Sequence, residues 1–112
     1  MSSTELKQLE NSIKQAQKLV DLGDSLERLR SNRDFKKIFL EGYFDQEAIR
    51  LVHLRADSNM QSAESRKSID MQIDAIGTVH QYLNTISVQA QMARRGLAAD
   101  EQTRDELLLE GK

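Results

Sequence analysis

The sequence predicts an all-α fold: two long antiparallel helices forming a hairpin, joined by two short helices, in an elongated molecule. Three observations lead there. Among 112 residues proline is absent, glycine occurs five times and aromatics make up 4%. So few turn residues, with so many Leu, Gln, Glu, Lys and Ala, do not suit an all-β domain. Apolar residues also recur at alternating spacings of three and four on both sides of one polar loop, the rhythm of helices that pair. Finally, residues 75–93 carry no Asp, Glu, Lys or Arg, in a chain that is 30% charged. A solvated helix face rarely runs five turns without charge, so this segment is expected to be enclosed on most sides by protein.

The first helix is expected over about 4–30. Ser2, with Glu5 three residues later, fits a capping box. Leu6, Leu9, Ile13, Ala16 and Val20 then form the seam. Gly23 interrupts it, and Leu22, Leu26 and Leu29 resume the stripe one step round the cylinder. A helical glycine costs ~1 kcal/mol relative to alanine, which a well-packed helix absorbs. The rival reading is two helices meeting at Gly23, with Asp24 as a new cap.

A short helix follows over about 33–43. Asn32 or Asp34 caps it, Phe35, Ile38 and Phe39 form its inner face, and Gly42 ends it. Asp45 caps a third helix, over about 46–56, bearing Ala48, Ile49, Val52 and Ala56. Phe35, Phe39, Tyr43 and Phe44 are four of the five aromatics, so this region is the dense apolar knot. Phe35, Phe39 and Phe44 are expected to be largely buried there.

Residues 57–62, DSNMQS, read as a loop. Ser62 or Ser65 caps the last helix, expected over about 63–109. Its seam is Ile69, Ile73, Ile76, His80, Leu83, Ser87 and Ala90. Gly77 and Gly96 do not stop it. One domain of 112 residues buries one modest core.

Chemistry is sparse. No cysteine is present, so disulfides and thiolate metal sites are excluded. The patterns of zinc proteases, serine hydrolases, P-loops and EF-hands are missing. His80 lies on the seam and reads as a buried, hydrogen-bonded core histidine; His53 has no catalytic partner. Glu41, Asp45 and Glu47 could meet near a metal, but helix capping explains them more simply. The chain is therefore expected to be no enzyme and to need no cofactor. The start, MSSTELKQLE, has no apolar core of a signal peptide, so export is not expected. His80, Gln81, Asn84, Thr85, Gln89 and Gln91 would be costly in hydrocarbon, so residues 75–93 are not a membrane span.

Two charged clusters stand out against a net charge of −2. Arg28, Arg30, Arg33, Lys36 and Lys37 concentrate positive charge against Asp34, with Glu27 and Glu41 flanking. They are the candidate nucleic-acid contacts, although a solvated corner is the simpler reading. Asp100, Glu101, Asp105, Glu106 and Glu110 surround Leu107, Leu108 and Leu109 near the end of the chain. That segment reads equally as a docking peptide or as a hairpin end packed on the first helix. The candidate protein-interaction residues are Val79, Leu83, Val88, Ala90, Leu107 and Leu108. Ala75, Gly77, Ser87 and Ala90 are small enough to admit another helix closely.

The block Asn32-Arg33-Asp34-Phe35-Lys36-Lys37, then Leu40-Glu41-Gly42-Tyr43-Phe44, then Glu47-Ala48-Ile49-Arg50-Leu51-Val52-His53-Leu54, resembles a group of small proteins of tailed bacteriophages. Leu22-Gly23 and Leu26-Glu27-Arg28-Leu29 before it are similar too. So are Ile73-Asp74-Ala75-Ile76-Gly77 and Met92-Ala93-Arg94-Arg95 after it. The resemblance covers nearly the whole chain; its motif marks a family and is not a catalytic signature. It implies a phage structural or head-assembly protein, working by helix–helix contacts in several copies. The implied partners are further copies and virion proteins such as capsid, portal or connector, in the virion or the infected-host cytoplasm. The alternative is a small phage-encoded regulator that binds nucleic acid or a host protein through the basic corner from Arg28 to Lys37.

Overall fold

The structure, a computed structural model, describes residues 3–111. It is all-α: helix accounts for 94%, and no strand occurs among the described residues. Helix α1 is Ser3–Ser31, α2 Arg33–Phe35, a π-helical stretch Lys36–Glu47, α3 Ala48–Arg55, a 3₁₀ turn Ser58–Met60, and α4 Ala63–Glu110. The capping box proposed for Ser2 lies outside the described residues.

The helix starts follow from side-chain caps. Asn32 is extended at φ −70° and ψ 129°, and its Oδ1 accepts from the Phe35 N–H at 2.9 Å. Ser62 Oγ accepts from the Ser65 N–H at 3.1 Å and so opens α4. Between them, Asp57 Oδ1 accepts from the Asn59 N–H at 2.8 Å. The Gln61 amide donates to the carbonyls of Arg55, at 2.9 Å, and Asp57, at 2.7 Å. These bonds satisfy backbone groups that the two helix ends leave free.

The region from 33 to 55 departs from expectation. Gly42 ends no helix and Asp45 caps none. Phe35, Lys36, Glu47 and Ala48, at the two junctions, all keep right-handed helical angles, and no side chain caps α3. One helical run therefore replaces the two expected short helices. Its middle is wound wider, as a π-helix of 12 residues, where such turns usually come singly. Gly42 suits that winding. A Cβ on it would lie 3.1 Å from the carbonyl oxygen of Lys37, five residues back.

The residues group into two compact units, Met1–Leu26 with Thr85–Lys112, and Glu27–Asn84. In the first, α1 and α4 run antiparallel: Leu6 shares a cleft with Leu107 and Leu108, and Gly23 backs onto Ala90. Leu6, Leu9, Ile13 and Ala16 are half-buried and Val20 is buried. Gly23 proves to be the next seam position. It neither breaks the helix nor shifts the stripe: Gly23 and Leu26 are buried, while Leu22 and Leu29 are exposed. A Cβ on Gly23 would stand only 2.3 Å from the Cβ of Ala90, which is 0% exposed. Beside this crossing, Arg94 Nη2 donates to Asp24 Oδ1 at 2.6 Å. Both side chains are about half exposed, so the pair helps set register more than stability.

In the second unit the core is Leu51, Ile69 and Ile76, ringed by Tyr43, Phe44, Ala48, Leu54, Met60 and Ile73. Arg55 Nη1 lies 2.7 Å from Asp70 Oδ1 at its edge. The inner face of α3 is thus Leu51 with Ala48 and Leu54. Ile49 and Val52, expected inside, are exposed. The aromatics form a ladder rather than a buried knot. Phe35 stacks on Phe39 at 5.2 Å, Phe39 meets Tyr43 edge-on at 6.1 Å, and Tyr43 packs on Phe44 at 5.5 Å. Phe35 and Phe44 are only half-buried and Phe39 is 41% exposed, because the rungs run along the helix and α4 covers one side alone.

Two stability outcomes follow. In an ordinary helix Gly→Ala gains ~1 kcal/mol. Here Gly23→Ala overpacks the crossing, at a cost of about 1–3 kcal/mol. It should lower the melting temperature, and adding Ala90→Gly should recover part of the loss; a more stable single variant would refute the close approach. In the other unit, Leu51→Ala should cost about 2–5 kcal/mol. Phe39→Ala should cost much less, a contrast that thermal melts of both variants read directly.

Candidate interaction surfaces

Apolar side chains left outside the seams define the candidate surfaces. The uncharged segment 75–93 is less enclosed than expected. Ile76, Ile86, Ala90 and Ala93 are buried, whereas Val79, Tyr82, Val88 and Met92 are exposed. Within it, Leu83 is half-buried. Ala90 is not open to a partner, because Gly23 already covers it. Val79 with Tyr82, and Val88 with Met92, stand three and four residues apart, so each pair shares a helix face. In the first unit, Ala16, Leu19, Gln89, Met92 and Ala93 line an open groove of about 390 Å³.

His80 is also misplaced by the sequence pattern. It is exposed, and its ring meets Phe44 edge-on at 5.4 Å. His53 is exposed on α3. No cluster of His, Asp or Glu among the described residues is placed to hold a metal ion. Glu41, Asp45 and Glu47 all sit within the π-helical stretch, and Glu47 is committed to Arg50, whose Nε donates to it at 3.0 Å. Among the described residues no helix is long and apolar enough to cross a membrane.

The π-helical stretch makes a groove that sequence periodicity did not reveal. Ile38, Phe39, Gly42, Tyr43 and Glu47 line an open volume of about 400 Å³. Hydrogen bonds spanning five residues widen the turn, so positions four to five apart stand one above the other. Ile38, Gly42, Tyr43 and Glu47 have that spacing, which was the available signal. Ile38, expected on the inner face, is 62% exposed here.

The basic residues straddle the junction beside this groove. Arg28 and Arg30 end α1, where cations complement the helix dipole. Arg30 Nη1 is 4.0 Å from Glu27. Arg33 lies in α2, and Lys36 and Lys37 begin the π-helical stretch. Arg33, Lys36 and Lys37 are exposed, and no ion pair engages them among the described residues. At the end of α4 the packing expected of a hairpin end involves Leu107. Leu107 is half-buried in the cleft with Leu6, while Leu108 and Leu109 are exposed.

No family model, curated protein or solved structure matches the chain.

The Glu47–Arg50 pair gives a titration signature. The hydrogen bond from Arg50 holds the Glu47 carboxyl below its ordinary range, and Glu47 keeps Arg50 protonated in turn. A depressed carboxylate stabilises the fold above its unfolded pKa. That contribution is lost as pH falls through the lower folded value. Side-chain carboxyl shifts in NMR should place the Glu47 midpoint below the ordinary glutamate range. Arg50→Gln should move it upward, and an unchanged midpoint would mean that the pair does not persist in solution.

Proposed function

We propose that this protein is a non-enzymatic assembly component that works by helix–helix contacts in several copies. The observation that carries the reading is the uncharged stretch of α4. Its own chain leaves Val79, Tyr82, Val88 and Met92 exposed, yet no charged residue occurs there. Solvation alone does not favour such a composition; contact with another helix does. The resemblance of the block from Asn32 to Leu54 to small tailed-phage proteins extends the proposal. The chain would serve as a virion structural or head-assembly protein, against further copies or capsid, portal or connector proteins.

A second reading, a regulator that binds nucleic acid or a host protein, draws on exposed Arg33, Lys36 and Lys37. A DNA affinity that falls steeply from low to physiological salt would favour this second reading for nucleic acid.

The full chain should associate with concentration in light scattering. Val88→Asp should disrupt this, because an unpaired carboxylate buried in a contact costs on the order of several kcal/mol. Its circular dichroism should stay helical, since Val88 is exposed in the single chain. A wild type that remains monomeric at high concentration, and is missing from particles and assembly intermediates, would remove the proposal.

A further inference from the structure

We infer that copies join head to tail, the acidic leucine-bearing end of α4 in one copy docking on the basic end of the π-helical groove in the next. The inference rests on the assembly reading above and names its partner: a second copy of this chain. Two surfaces with complementary chemistry carry it. On one, Arg33, Lys36 and Lys37 are exposed and unengaged by ion pairs among the described residues. Immediately beyond them, exposed Ile38 and Phe39 open into the groove at Gly42, whose missing side chain leaves room.

On the other, Asp105, Glu106 and Leu109 are all exposed on α4; Arg104 Nε lies 3.4 Å from Asp105 Oδ1, and Glu106 accepts from Gln102 Nε2 at 3.2 Å, contacts on an exposed surface that a partner cation can replace. Spacings of four and three place both carboxylates on the same face as Leu109. Leu109, at 69% exposed, is the most exposed large apolar side chain of the described residues, and Leu108 beside it is also exposed. An apolar knob beside carboxylates thus meets an apolar groove whose first lining residue, Ile38, directly follows the exposed cations in the chain. Charge also sets the polarity of docking. Glu41 and Asp45, farther along the π-helical stretch, repel an acidic partner, and Glu47 at the far end of the groove is paired with Arg50. The leucines are directed to the end beside Lys37.

The two surfaces are different patches, so the contact is heterologous. Each copy keeps one free donor and one free acceptor, and association proceeds past the dimer to a ring or a filament. Opposite charge steers the encounter and salt screens it.

The test uses charge reversal on the full chain. Lys36→Glu with Lys37→Glu makes one double variant; Asp105→Lys with Glu106→Lys makes the other. All four positions are exposed, and unchanged circular dichroism confirms folding. Analytical ultracentrifugation of wild type should show species larger than a dimer, shrinking as salt rises. Either double variant alone should associate roughly tenfold or more weakly. An equimolar mixture of the two should regain association, because the reversed rims again attract. Variants that assemble like wild type, or a mixture that fails to regain assembly, overturn this contact and leave the assembly reading standing. A monomeric wild type overturns both. If that monomer binds duplex DNA through Lys36 and Lys37, the basic end belongs to nucleic acid instead.

Discussion

A pair of helices buries only one stripe of each, and most other features of this chain descend from that constraint. A close approach in the first unit needs a glycine. Gly23 lets α1 approach until its backbone lies against Ala90, so two small residues bring the helices together where larger ones would hold them apart. In the second unit the same problem is solved with bulk, by Leu51, Ile69 and Ile76. Both solutions are narrow. Neither leaves helix surface to cover Val79, Tyr82, Val88 or Met92.

Helix register was largely legible in the sequence because it is local. The Asn32 and Ser62 caps, the turn around Asp57, and the α1 seam from Leu6 to Val20 each depend on residues within a turn of one another. Errors arose where a residue's role depends on another element. Gly23 looks like an interruption until Ala90 is seen behind it. Ile49 and Val52 look internal because they are β-branched and apolar, but α4 meets the other side of α3. His80 keeps the seam spacing, yet the element opposite offers the edge of Phe44 and no enclosing pocket.

The π-helical stretch shows a different gap. Apolar periodicity is read against a turn of 3.6 residues. A wider turn moves every later side chain round the axis, so Ile38 and Phe39 leave the face assigned to them. Gly42, between Ile38 and Tyr43, reads as a terminator under α-helical rules. In the wider turn it is the residue that avoids pressing a Cβ on the Lys37 carbonyl. Lys36 and Lys37 directly precede Ile38, the first residue that lines an apolar groove. Sequence reading found the charges but not the groove.

Magnitudes limit how tightly the exposed apolar pairs of α4 can hold a partner. Fully burying a large apolar side chain is worth about 1.5–3 kcal/mol. Val79, Tyr82, Val88 and Met92 are already partly covered by their own helix, so the four together offer roughly 3–6 kcal/mol. Association costs about 4–15 kcal/mol in lost translational and rotational freedom. These residues, split between two helix faces, therefore give at most weak association on their own. Stable assembly requires contacts at more than one place on each copy, so that once the first forms, the next closes at high effective concentration. In the proposed assembly, the exposed leucines and carboxylates at the end of α4 and the cations at the start of the π-helical stretch would supply such additional contacts. Their electrostatic part adds specificity and polarity more than affinity. Individually weak contacts of this kind would give the proposed assembly a stability that grows with copy number, with single copies exchangeable until enough neighbours are in place.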